Sequence, residues 1–183
     1  MKHIASVKVL LVASALLLGT ALPARAQDKG VEIGTSLASL MVGFGNGNSG
    51  TVLGIPSGGF GIMNPGLYAS VFVAPKFAIE PQLGLIVVSG DGESAHLANF
   101  GVQADYFTRG TRASSPYFFG GFGVISISDA GTTPVSVSGG AGYRMALGDR
   151  LTMRADGRIT HFTEARGNAF AITISLGGVF GRK

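Results

Sequence analysis

The chain has 183 residues, 46% of them hydrophobic and only 13% charged, with 30 glycines and neither cysteine nor tryptophan. Glycine at this level without a G-X-Y period excludes collagen, and the apolar content excludes a disordered chain. The missing cysteine excludes a disulfide framework, a Cys-based zinc site and a thiol nucleophile, and the low charge argues against an ordinary cytosolic domain.

The first segment stands apart. Lys2 and Lys8 open it, an uncharged run from Val9 to Leu22 follows, and Pro23-Ala24-Arg25-Ala26 closes it. The run is short of the ~20 residues that a spanning helix needs. A basic start, a short apolar stretch and a small-x-small end predict a secretory signal peptide over residues 1–26, cleaved after Ala26. One domain, 27–183, then remains. Lys2, Lys8 and Arg25 leave with the signal, so 11 basic residues face 10 acids and the mature chain carries about +1. No basic run outside the last two residues survives to bind nucleic acid.

After Gln27 no window repeats apolar residues at helical spacing over three turns. Period-two alternation recurs instead, broken by Gly, Pro, Asn and Asp, and predicts eight strands. The first, 31–44, and the second, 66–74, leave their facing open, and a long Gly/Asn/Ser/Pro connection, 45–65, separates them. After a tight turn at Pro75-Lys76, residues 77–89 set Phe77, Ile79, Leu83, Leu85 and Val87 against Ala78, Glu80, Gln82 and Gly84. Past a medium loop, 89–95, residues 97–107 set Ala98, Phe100, Val102, Ala104 and Tyr106 against Asn99, Gly101, Gln103 and Asp105. A longer connection, 108–115, leads to 116–127, whose facing is also open, and 128–134 is a medium loop. Residues 135–147 set Val135, Val137, Ala141, Tyr143, Met145 and Leu147 against Ser136, Ser138, Gly140, Gly142 and Arg144. A tight turn at Gly148-Asp149 precedes 150–161, with Leu151, Met153, Ala155 and Ile159 on one face and Arg154, Asp156 and Arg158 on the other. Past 162–168, residues 169–180 set Phe170, Ile172, Ile174, Leu176 and Phe180 against Ala171, Thr173, Ser175 and Gly177.

An even number of strands near 11 residues long suits a closed, antiparallel up-and-down barrel crossing a bilayer. A soluble barrel would need an outer face about a quarter to a third charged. Here the polar face is mostly Gly, Ser, Ala, Thr and Asn, as a narrow eight-stranded lumen requires, so the apolar face meets lipid. Phe77, Tyr106, Tyr117, Phe118, Tyr143 and Phe180 lie near the tight turns or the C-terminus and predict one interfacial girdle; Phe60, Phe162 and Phe170 border the opposite loops. Glu32, Glu80, Asp105, Arg144, Arg154, Asp156 and Arg158 fall inside as a lumen charge cluster. Folding the hairpins sets Arg144 opposite Arg154 and Glu80 opposite Asp105. Each like pair must then find its counter-charge across the lumen.

The segments SPYFFGGFGVIS, SGGAGYRMALGDRLTMRADGRITHF and NAFAITISLGGVFGRK, with the signal peptide and eight amphipathic strands, resemble the small outer-membrane β-barrel family typified by OmpA and OmpX. The resemblance covers nearly all of 27–183 and is one of pattern. It implies an outer-membrane location in a Gram-negative bacterium, contact with lipid and lipopolysaccharide, and biogenesis through periplasmic chaperones and the barrel-assembly machinery, with Phe180 in the C-terminal assembly signal. No peptidoglycan-binding domain is expected after the barrel. The implied role is non-enzymatic, in envelope structure or surface interaction, by a filled lumen and a monomer without cofactor. Two alternatives stand. His161-Phe162-Thr163-Glu164 is similar to the His-x-Ser site of outer-membrane lipid A deacylases, which would make His161, Thr163 and Glu164 catalytic, although Thr replaces Ser; the other alternative is a narrow pore. Gly45-Asn46-Gly47-Asn48-Ser49-Gly50 matches a dinucleotide fingerprint by letter, but no helix follows to receive a pyrophosphate. His96 is isolated, so no metal-ligand spacing appears.

Overall fold

A computed structural model describes residues 30–45, 48–54, 66–90, 93–110, 114–127, 134–163 and 167–181. The expected signal peptide and Glu164 lie outside the described residues. The strands are β1 (Val31–Gly45), β2 (Asn48–Gly54), β3 (Leu67–Ala74), β4 (Phe77–Gly90), β5 (Glu93–Phe107), β6 (Ser115–Ile127), β7 (Val135–Ala146), β8 (Leu151–Phe162) and β9 (Gly167–Phe180). All neighbours are antiparallel, and β1 pairs with β9 from Val31↔Phe180 to Phe44↔Asn168, which closes the sheet on itself.

Nine strands fill eight places in the wall. β2 pairs with the upper half of β1, Ser39 to Gly45, while β3 pairs with its lower half, Val31 to Thr35. Both run along the same edge of β1 and share one wall position, and β3 goes on to pair with β4. The barrel is therefore the eight-stranded up-and-down architecture of the sequence reading, with one correction. Asn48–Gly54 is strand, because Thr51, Val52 and Leu53 supply β-forming side chains after a hairpin tip rich in Gly and Asn. The medium loop at 89–95 is likewise shorter than expected, since β4 runs to Gly90 and β5 starts at Glu93. That extension shifts the hairpin register. Glu80 pairs with Gln103 and Asp105 with Ala78, so Glu80 is not opposite Asp105. Arg144 does pair with Arg154.

Alternation sorts the side chains as a membrane barrel requires. Ile79, Leu83, Val137, Ile159, Ile172 and Ile174 are exposed on the outer face, whereas Glu32, Glu80, Asp105, Arg144 and Arg154 are buried inside. In β1 the phase slips at a bulge, where Leu37 is the extra residue between Ser36 and Ala38. Glu32, Gly34 and Ser36 face in before it, and Ser39 faces in after it. In β6, Tyr117, Phe119 and Ile125 face in while Phe118 and Phe122 face out.

The lumen is not lined by small residues alone. Tyr68, Phe72, Phe107, Tyr117 and Phe119 are all buried within it. Inward glycines make the room. A Cβ on Gly142 would lie 2.7 Å from the Tyr117 ring, and one on Gly140 would lie 2.5 Å from the Phe119 ring. Large and small side chains thus interdigitate across the barrel, as in any close-packed core.

Candidate functional site: a closed lumen

Three layers fill the interior, the first two at the same level. The first is aromatic, with Phe72, Phe107, Tyr117 and Phe119 packed around Ala78 and Val179. Phe107 stacks on Tyr117 at 5.3 Å between ring centroids and meets Phe72 edge-on at 6.2 Å.

The second layer is charged and interleaves with the first. Glu32 accepts one hydrogen bond from Arg144 Nε and one from Arg154 Nε, each 2.7 Å. Arg154 also donates from Nη1 to Glu80 at 2.7 Å and from Nη2 to Ser70 at 2.8 Å, and its Nη1 lies 3.7 Å from Asp105. Glu80 further accepts from the Ser70 hydroxyl and from the amides of Gln82 and Gln103. Asp105 accepts from Gln103 at 2.7 Å, and Asp156 accepts from the Tyr117 hydroxyl at 3.1 Å. Arg158 donates to Gln82 and Gln103. The guanidinium carbons of Arg154 and Arg158 sit over Tyr68 and Phe119 at 4.7 and 4.8 Å from the ring centroids. Strand alternation aims these groups at one axis, so carboxylates from β1, β4 and β5 meet guanidiniums from β7 and β8 across the lumen. Desolvated charges need such pairing, with hydrogen bonds to the remaining lone pairs.

The third layer is apolar. Ile125, Phe162 and Ala169, with Met41 against them, cap the lumen toward the end opposite the short turns. Phe162 therefore faces the interior from the end of β8, where it borders the loop. Between the charged layer and this cap is a polar cavity of about 40 Å³, lined by Gln82, Gln103, Ser136, Ser138, Arg158 and Thr160. A second, of about 20 Å³, lies beside Arg154. These volumes suit single waters, not a substrate.

Outside, Phe77 and Tyr106 pair across β4 and β5 with ring centroids 5.0 Å apart, and Phe118, Tyr143 and Phe180 are exposed at the same end. Tyr117 is corrected from that girdle. It is 2% exposed where Phe118 is 57% exposed, because adjacent residues of a strand face opposite ways and Asp156 satisfies the Tyr117 hydroxyl inside. Phe60 lies outside the described residues.

The hydrolase alternative finds no assembled site. His161 is exposed on the outer face, with its Nδ1 2.9 Å from Asn168 Oδ1. The Thr163 hydroxyl donates to the Val135 carbonyl at 3.0 Å, which removes it from any base. Among the described residues, no group of three or more His, Asp or Glu side chains could hold a metal ion. The Gly45–Gly50 stretch is a β1–β2 hairpin tip, with Gly45↔Asn48 and Gly43↔Gly50 in register, rather than a strand-to-helix turn.

Sequence reasoning missed the polar and aromatic partners, namely Tyr68, Ser70, Phe72, Phe107 and Phe119. Gln82 and Gln103 were visible on polar faces, two residues from Glu80 and Asp105. Their carboxamides carry the network from Glu80 to Arg158.

No protein-family model and no curated protein matches the chain. Solved structures do. The N-terminal β-barrel domain of Pseudomonas aeruginosa OprF aligns at 16% identity and a TM-score of 0.55, covering 84% of this chain and 98% of that one. Neisserial surface protein A aligns at 12% identity and 0.55, covering 83% and 97%. The outer membrane protein OprG of Pseudomonas aeruginosa aligns at 14% and 0.51, covering 84% and 96%. The chain is similar to these proteins in fold: a closed, eight-stranded antiparallel barrel.

Proposed function

We propose that residues 1–26 are removed on export and that residues 27–183 form a monomeric, non-enzymatic barrel in the outer membrane of a Gram-negative bacterium. Its role is envelope structure or surface contact, the latter through the segment 45–65. The observation that carries this reading is the inversion of the wall, with exposed Ile, Leu, Val and Phe outside and a three-layered packing of rings and paired charges inside. An apolar exterior needs lipid, and β1 pairs with both β9 and β3, which closes the ring of wall strands as lipid demands. The packed interior supports a barrel closed to solutes. Lipid and lipopolysaccharide are its surroundings, and periplasmic chaperones with the barrel-assembly machinery insert it, reading a signal that includes Phe180.

Cell fractionation with heat-dependent gel mobility tests the reading. The protein should sediment with outer membranes and migrate faster unheated than boiled. A soluble periplasmic protein with no mobility shift would overturn the assignment. Lipid A from cells with and without the protein should have the same mass; loss of an acyl chain that requires His161 would restore the hydrolase.

A further inference from the structure

The described cations are sorted along the barrel axis. Arg144, Arg154 and Arg158 lie in the lumen, whereas Lys76, Arg109 and Arg150 lie in the three short connections, against only Asp149 among the described residues there. The described part of that end carries a formal +2.

Lys76, Arg109 and Arg150 are exposed, and each belongs to a different short connection, β3–β4, β5–β6 and β7–β8. They therefore recur at every second strand boundary around the rim. Each also lies close to the outward girdle: Lys76 precedes Phe77, Arg109 follows Tyr106 by three residues, and the Arg150 carbonyl accepts a hydrogen bond from the amide of Val179, next to Phe180. Aromatic girdles mark the level where hydrocarbon gives way to headgroups, so these cations reach the headgroup layer. Resting on the membrane reading above, we infer that the short-turn rim is a docking surface for anionic phospholipid headgroups, with Lys76, Arg109 and Arg150 as its phosphate contacts. Distribution around the rim, rather than on one side, fits an annulus of lipid better than a single protein partner.

The test is electron spin resonance on the intact mature barrel in phosphatidylcholine bilayers, with trace spin-labelled phosphatidylglycerol or spin-labelled phosphatidylcholine. Phosphatidylglycerol should be enriched several-fold in the immobilised annulus, since one cation near an anionic surface is worth about fivefold in association. The enrichment should vanish near 1 M salt, where the screening length is about 3 Å. The combined variant Lys76→Gln, Arg109→Gln, Arg150→Gln should lose it while still immobilising phosphatidylcholine. Equal occupancy of the two lipids around the wild type, or enrichment unchanged in the variant, would overturn the inference. Retention on purified peptidoglycan through these cations, without lipid preference, would overturn it in favour of a wall polymer. No immobilised component with either label would instead overturn the membrane reading, and the inference with it.

Discussion

Arg154 is the residue on which the lumen converges, because its guanidinium touches carboxylates from β1 and β4 and a hydroxyl from β3. Its replacement by Leu leaves Glu80 buried without a cation, whereas Glu32 keeps Arg144. Breaking a buried pair in this way costs about 3–5 kcal/mol. Arg154→Leu should therefore lower the urea midpoint of the folded barrel in detergent or vesicles. Adding Glu80→Gln should recover part of the loss, since the amide needs no counter-charge. A barrel made more stable by Arg154→Leu would mean that the side chain faces lipid, where an Arg is the liability. Gly142 tests the same interior from the side of space. A Cβ there would meet Tyr117 and Asp156 at 2.7 Å and the Ala155 carbonyl at 2.8 Å, and the carbonyl is backbone that cannot swing away. Gly142→Ala should cost about 1–3 kcal/mol through overpacking. An unchanged midpoint would show that the ring and the wall yield more easily than close packing allows.

Strands differ in how much of themselves the sequence reveals. In β4, β5, β7, β8 and β9 one face is apolar and the other small or polar, so period two reads directly and the structure keeps those facings at every side chain it describes, Leu85 and Val87 lying outside them. β1 hides its facing because the bulge at Leu37 puts Ile33 and Leu40 on one face although seven residues separate them. β6 hides it because both faces are aromatic, and only the third dimension shows that the rings of Phe107 and Phe119 flank Tyr117 inside. The charged residues of the site were legible as inward positions, yet Glu80 and Asp105 were paired two residues out of register. Alternation fixes the face, but a hairpin's register depends on where its turn falls. β9 carries the prediction at this scale. Phe180 is 58% exposed on the outer face beside Val31, where the sheet closes. Phe180→Ala removes interfacial burial worth about 2 kcal/mol and weakens the proposed assembly signal. Outer-membrane yield should fall and periplasmic degradation rise. Unchanged yield would place the signal elsewhere in the chain.

For the molecule as a whole, the question is whether the charged layer alone closes the lumen. A gate made of Arg154, Glu80 and Glu32 would open when its central cation is removed. The structure interleaves that layer with the rings of Phe72, Phe107, Tyr117 and Phe119 and sets Ile125, Phe162 and Met41 in series beyond it. Resistances in series are set by the largest, and an ion crossing an apolar constriction must shed water that nothing there replaces. Opening the charged layer alone therefore leaves the path shut. Wild-type protein in planar bilayers should show no steady ionic current. Arg154→Ala should show none either, although it is less stable, provided its unheated gel mobility confirms a folded barrel. Arg154→Ala combined with Phe162→Ala and Phe119→Ala thins all three layers and should conduct if it folds. Steady current in the folded Arg154→Ala protein alone would assign the whole barrier to the salt bridges and make the barrel a gated pore rather than a filled one.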